Sequence, residues 1–259
     1  MMACGLALAA SSQASAATLL AGWNSFSTSG TTTAASSGSY AGSALLNHGD
    51  ASITTNSLTI DKDSTSHPTV SLAGLGLTSG SFTIAMTISG VEKTTNSEGQ
   101  VDNLWSVKGS HNYQLGAGVS TDTTDMTQAT LGAQYNGGNQ VNITGGGTVD
   151  LMNQVTLVMQ FDASTKTFNF YTTTSDITQV ADYKAWENFT LVGSVTRESA
   201  STSGYSELYL GSWSNNNGGR TGYELDSLQI YSGLVPEPAT ATLGLLGFGS
   251  LLLRRRKRA

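Results

Sequence analysis

Apolar residues recur at every second position through much of this chain, and that period restricts the fold more than any other feature. In "SFTIAMTISG", Phe82, Ile84, Met86 and Ile88 share one face, with Thr83, Ala85 and Thr87 on the other. In "QVTLVMQFD", Val155, Leu157, Met159 and Phe161 repeat the pattern. Side chains alternate between faces only in an extended strand, so both stretches predict β-strands. "TFNFYT" follows the second across Asp162-Ala163-Ser164-Thr165-Lys166, which predicts a hairpin over 154–172. Further strands are expected at 18–26, 57–61, 69–73, 103–107, 112–119, 129–135, 139–143, 189–195, 206–211 and 224–232. Apart from a possible turn at "DYKAWENF", no stretch has the 3.6-residue period of an amphipathic helix. Many short strands separated by Gly, Asn and Ser predict an all-β fold of two antiparallel sheets.

Both ends depart from this pattern. Ala3–Ala10 is a short apolar stretch, followed by small residues that finish in Ala14-Ser15-Ala16. Small residues at alternate positions suit signal peptidase, so residues 1–16 are expected to be a signal peptide cut after Ala16. No Lys or Arg precedes the apolar stretch, a departure from the usual signal pattern. At the far end, 239–253 carries no charge and precedes Arg254, Arg255, Arg256, Lys257 and Arg258. As a helix this run spans about 22 Å, a short transmembrane segment. The cations stop its transfer and keep the tail cytoplasmic. Pro236 and Pro238 keep the helix from beginning earlier.

The order Val235-Pro236-Glu237-Pro238-Ala239, short span and basic cluster closely resembles the bacterial PEP-CTERM sorting signal. The resemblance implies an exported protein of a Gram-negative bacterium, tethered in the inner membrane as a precursor and handled there by an exosortase, a membrane protease-transpeptidase. An ordinary membrane anchor is the alternative. The resemblance covers only the last 25 residues and assigns no activity to the rest. The expected division is a signal peptide at 1–16, a domain at 17–233 and a sorting region at 234–259.

Between the signals, seven Lys and Arg face seventeen Asp and Glu, counting out Glu237 and the five tail cations. A net charge near −10 disfavours nucleic acid and anionic lipid as partners of the domain, and suits a neutral or cationic ligand. The one cysteine, Cys4, lies within the expected signal, which leaves the domain without disulfide, thiolate metal ligand or thiol nucleophile.

Taken in order, "TLLAGWNSFSTSG", "GSFTIAMTISG", "NLWSVKGSHNYQLGAGVS", the hairpin, "SELYLGSW" and "GYELDSLQIYSGLV" resemble the concanavalin A-like, laminin-G-like jelly roll. Leu208-Tyr209-Leu210-Gly211 and the closing strand through Leu225, Leu228 and Ile230 are the strongest pieces. The resemblance implies a jelly-roll sandwich whose closing strand returns to the start of the domain. One departure is Asn153-Gln154 where that family usually places a Trp-His-like pair. Glycosidases on this fold carry Glu-x-Asp-x-x-Glu on one strand. Here the match is Glu224-Leu225-Asp226-Ser227-Leu228-Gln229, and an amide at the last position cannot donate and recover a proton. Glu224 and Asp226 are therefore expected on a solvated strand face, and no catalytic residue is assigned.

His48, His67 and His111 are scattered and read as surface or turn residues, with no zinc spacing among them. Asp61 and Asp63, and Asp122 and Asp125, offer loop oxygens without a specific calcium spacing, and members of the fold often hold a structural Ca²⁺, so an ion is left open. Aromatic loops are the best candidates for a ligand. Trp213, Asn215, Asn216, Arg220 and Tyr223 share "GSWSNNNGGRTGYE", while Tyr183 and Trp186 share "DYKAWEN". Exposed rings stack on sugar C–H faces and amides bond to hydroxyls, so the first loop is the candidate glycan site. The competing reading is that these rings plug the ends of the sandwich. Two functions follow: a non-catalytic carbohydrate-binding or adhesion module, or a structural surface or extracellular-matrix protein without a small ligand.

Overall fold

The alternation at 82–88 forms the middle of β7 (Phe82–Lys93), which pairs antiparallel with β12 (Val155–Asp162) and with β16 (Thr221–Ser232). Its register with β12 sets Ile84 opposite Met159 and Phe82 opposite Phe161, so the apolar sets of both strands share one face. β12 turns into β13 (Thr167–Thr173) where the sequence predicts. Asp162 closes that turn by accepting from the Ser164 N–H at 2.8 Å, and Lys166 takes a positive φ of 55° to complete it.

The computed structural model describes residues 17–27, 30–93, 102–109, 115–120, 122–134, 141–142, 147–173, 189–212 and 220–235. The other strands are β1 (Thr18–Trp23), β2 (Thr32–Ala34), β3 (Leu45–Asn47), β4 (Ser52–Thr54), β5 (Ser57–Ile60), β6 (Thr69–Ser71), β8 (Asp102–Gly109), β9 (Leu115–Val119), β10 (Leu131–Gln134), β11 (Val141–Asn142), β14 (Thr190–Thr196) and β15 (Tyr205–Leu210). Among the described residues they make two eight-stranded sheets. Sheet A runs β14-β13-β12-β7-β16-β5-β4, with β1 also paired to β16, and sheet B runs β11-β10-β9-β8-β15-β6-β3-β2. The fold is an all-β, two-sheet antiparallel sandwich. β1 lies against β16 from Thr18–Ser232 to Trp23–Leu228, so the closing strand does return to the opening one. β2, β3 and β4 were not expected from the sequence, because three residues are too few for a period-2 pattern to register.

The core lies between the sheets. The Phe82 ring meets Trp105 of sheet B edge-on at 5.8 Å, Tyr205 at 5.4 Å and Phe161 at 5.7 Å between centroids. Each ring buried this way contributes on the order of 2–3 kcal/mol through removal from water. Part of the far face of sheet A is buried too. Ala85, Val158, Tyr171, Phe189, Tyr231 and Val235 form a second apolar cluster there, beside a bonded row in which Ser227 donates to Thr87 at 3.0 Å and Thr87 meets Thr156 at 2.9 Å. The folded unit thus reaches Val235, two residues beyond the expected boundary. The expected signal peptide, Pro236-Glu237-Pro238, the expected helix at 239–253 and the basic tail lie outside the described residues. Among the described residues, no helix is long and apolar enough to cross a membrane.

Candidate functional site

One end of the sandwich gathers the polar residues that lack a simple structural role. There β7 finishes at Lys93, β8 starts at Asp102, β5 finishes at Ile60, and β15 crosses to β16 through residues 211–220. The foot of that crossing is firmly tied. Gly211 N–H bonds to Leu104 O at 2.9 Å, Thr221 N–H bonds to Gly211 O at 3.0 Å, and Thr221 Oγ1 donates to Asn103 O at 2.6 Å. Ser106 Oγ donates to Ser212 O at 2.7 Å, and Arg220 Nη1 reaches Ser64 O at 3.4 Å. Gly211 has φ +74°, and a Cβ there would stand 2.8 Å from Thr221 O and from Ile60 Cγ2. Only glycine allows the chain to cross between the sheets at this point.

Beside Arg220, an open trough of about 420 Å³ lies over sheet A. Its lining includes Ser89, Gly90 and Gly222 together with the charged residues Asp61, Lys62, Asp63, Glu92 and Glu224. A Cβ on Gly222 would stand 2.7 Å from Lys62 N, so a side chain there would displace the Asp61–Lys62 backbone. Lys62 stands 3.2 Å from Glu92 and 3.6 Å from Asp63. An exposed pair of this kind adds little stability, under about 1 kcal/mol, and leaves both partners free to change partner.

Beneath this surface lie buried titratable groups. Asp102 is 1% exposed, its Oδ2 stands 3.7 Å from Lys93 Nζ, and its Oδ1 has no hydrogen-bond partner. Burial pushes its carboxyl up to about 7, against the opposing pull of Lys93. His67 is also buried, with neither ring nitrogen hydrogen-bonded. Burial lowers it to about 4, with the Arg220 charge acting the same way and Asp50 opposing. His48 is buried as well and bonds through Nε2 to Thr33 Oγ1 at 2.7 Å. Both histidines were expected at the surface or in turns. His67 instead packs close to Gly211, where a Cβ would lie 3.7 Å from its Nδ1.

The candidate glycan residues divide. Trp213, Asn215 and Asn216 lie outside the described residues, as do Tyr183, Trp186 and His111. Arg220 is half-buried at the edge of the crossing. Tyr223 corrects the sequence reading: it is 2% exposed, and its hydroxyl donates to Leu104 O at 2.7 Å. Its ring points into the core because strand alternation sends Tyr223 inward and Glu224 outward, so it has no face for a sugar. Burial raises its phenol well above the usual range.

Glu224 and Asp226 are half-buried rather than freely solvated. Asp226 accepts from Ser57 Oγ at 2.6 Å and from Gln154 Nε2 at 2.8 Å. Gln154, one half of the departure noted above, therefore fastens the start of β12 to β16. Gln229 is buried and accepts from Tyr231 OH at 2.5 Å. Of the loop aspartates, Asp61 accepts from Asp63 N–H at 2.8 Å, and Asp125 caps the short 3-10 turn Met126–Gln128 through Thr127 N–H at 2.9 Å. Among the described residues, no three His, Cys, Asp or Glu converge as a metal site. Sequence reasoning missed the trough and the Lys93–Asp102 pair. The placing of a lone acid at the head of the apolar run "VDNLW" was the available signal for the latter.

No protein-family model and no curated protein matches the chain. Solved structures with a similar arrangement include the legume lectin-like domain from Entamoeba histolytica, at 11% identity over 71% of this chain and 87% of that one, with a TM-score of 0.41. The carbohydrate recognition domain of Emp47p aligns at 13% identity over 86% of this chain and all of its own, with a TM-score of 0.42. Lectin I from Ulex europaeus, solved with the methyl glycoside of α-L-fucose, aligns at 13% identity over 81% and 95%, with a TM-score of 0.45. Identities and scores this low carry no argument about ligand or site.

Proposed function

We propose that this sandwich is a non-catalytic module of the concanavalin A-like, jelly-roll kind that binds glycan at the trough beside the 211–220 crossing. The observation that carries the reading is the trough itself, which is open and lined by four carboxylates, Asp61, Asp63, Glu92 and Glu224, with one ammonium donor, Lys62. Sugar rings present many hydroxyls, each able to donate to a carboxylate and accept from Lys62. The open space at Gly90, where a Cβ would meet nothing within 4 Å, leaves room for a ring. A volume of about 420 Å³ falls within the range of small-ligand sites. The excess of carboxylates favours neutral over acidic sugars. Trp213, Asn215, Asn216 and Arg220, the residues expected from the sequence, would supply a stacking ring and polar partners.

Hydrolysis is the weaker reading. Asp226 already accepts two hydrogen bonds, and the third position of the pattern is the buried amide of Gln229. We further propose that the module is exported, with its signal removed near Ala17 and its tail taken by an exosortase-type protease at the envelope. Mass spectrometry of the native product should give a new N-terminus near Ala17, and recovery of an intact Met1 in the cytoplasm contradicts it. A glycan array with wild-type protein and Ser89→Trp, which plugs the trough, tests the binding reading. Signals that survive the plug place the ligand elsewhere, and an empty array favours a structural matrix protein.

A further inference from the structure

Three residues after β16, the chain is still gripped. Gly233 N–H donates to Ser81 O at 2.8 Å. Thr83 Oγ1 donates to Gly233 O at 3.0 Å and accepts the Val235 N–H at 3.3 Å. Gln160 Nε2 donates to Val235 O at 2.8 Å. Thr83 and Gln160 are themselves buried, at 0% and 2% exposure, so water does not compete for these bonds. The Val235 side chain packs with Ala85, Val158 and Tyr231 on the far face of sheet A.

A protease takes its substrate as an added strand, pairing with backbone N–H and C=O groups on either side of the cut. At Gly233 and Val235 those same groups are already paired to Ser81, Thr83 and Gln160. The geometry points to a latch: sheet A shields the chain from Gly233 to Val235 against proteolysis, and cutting there requires prior local release. An enzyme acting on the tail must therefore take its recognition stretch from Pro236 onward or wait for the latch to open. The latch does not depend on the glycan reading or on the tail being processed, so its test can fail without either of them.

Thermolysin, which hydrolyses bonds on the amino side of bulky apolar residues, is a suitable probe of the full chain. Its target is Gly233–Leu234, where water gives its hydroxyl to the Gly233 carbonyl carbon and a proton to the Leu234 nitrogen. In the wild type this bond should be cut no faster than bonds within β16, and the Val235 amide should exchange about a hundredfold slower than in a free peptide. Thr83→Val and Gln160→Leu should each speed the cut by about tenfold or more, with amide exchange in β7 and β12 unchanged. Wild-type cutting at a free-peptide rate, or an unprotected Val235 amide, overturns the latch. The exchange measurement uses the wild type, so it decides even where a substitution harms the fold.

Discussion

Lys93 ends β7 in sheet A, Asp102 opens β8 in sheet B, and the ammonium of one stands 3.7 Å from the carboxylate of the other. The pair joins the two sheets where the candidate site lies. The attraction does not offset burial, since the Asp102 carboxyl is raised to about 7 from 3.8. Between those values the folded protein holds a proton that the unfolded chain has released. Asp102 therefore lowers stability as pH rises from about 4 to about 7, and the loss levels off above that. Asp102→Asn should remove this slope, gaining about 2–3 kcal/mol on the wild type between pH 5 and pH 8. Denaturant melts at the two values check it, and an unchanged difference contradicts the burial account.

His67 acts with the opposite sign. It is held near 4 in the folded state against 6.5 unfolded, so acid protonates the unfolded chain first. Its contribution is present above about 6.5 and is lost as pH falls toward 4. Across that window His67 and Asp102 oppose each other. Asp102→Asn should expose a stability that falls in acid, and His67→Gln one that rises in acid. Two single variants with the same slope would contradict the assignment.

Tyr223→Phe should cost about 1–2 kcal/mol, because it leaves the buried Leu104 carbonyl without that donor. Glycan binding should be unchanged, since the ring lies in the core. Thermal melts and a binding titration on the same sample separate the two roles. A lost affinity with an unchanged melt would restore Tyr223 to the binding surface.

Gly211→Ala places a Cβ against Thr221 O and Ile60 Cγ2 at a backbone angle that side chains resist. We expect a loss of about 1–3 kcal/mol, together with weaker ligand binding, because Gly211 holds the foot of the crossing from β15 to β16. A variant as stable as wild type would mean that the crossing is not constrained there.

Strands of five or more residues were legible because period 2 persists long enough to count. β7, β12 and β13 lie close to where "SFTIAMTISG" and the 154–172 hairpin put them. Of the two- and three-residue strands, β6 and β11 fall within the expected 69–73 and 139–143, whereas β2, β3 and β4 were not legible because three residues are too few to show the period. The buried part of the second face of sheet A was hidden because its partners lie far away in sequence. Thr83, Thr87 and Ser227 look solvent-facing by type, yet Ser227 and Thr156 bond to Thr87, and Thr83 bonds to the returning chain at Gly233 and Val235. The candidate site was legible only in part. The glycine- and asparagine-rich loop drew the eye to 211–220, and alternation alone could have shown that Tyr223 points inward. The trough could not be read, since Ser89, Glu92, Asp61 and Glu224 come from three strand ends brought together by the fold.

Calorimetric titration measures glycan binding at the trough and the contribution of Trp213. A neutral oligosaccharide chosen from the array would be titrated into wild type, Glu224→Ala and Trp213→Ala. Saturable binding to wild type and a loss of about tenfold or more in each variant are expected, with melting temperatures nearly unchanged. Equal affinity in all three proteins, or a large fall in melting temperature for Trp213→Ala, would contradict it.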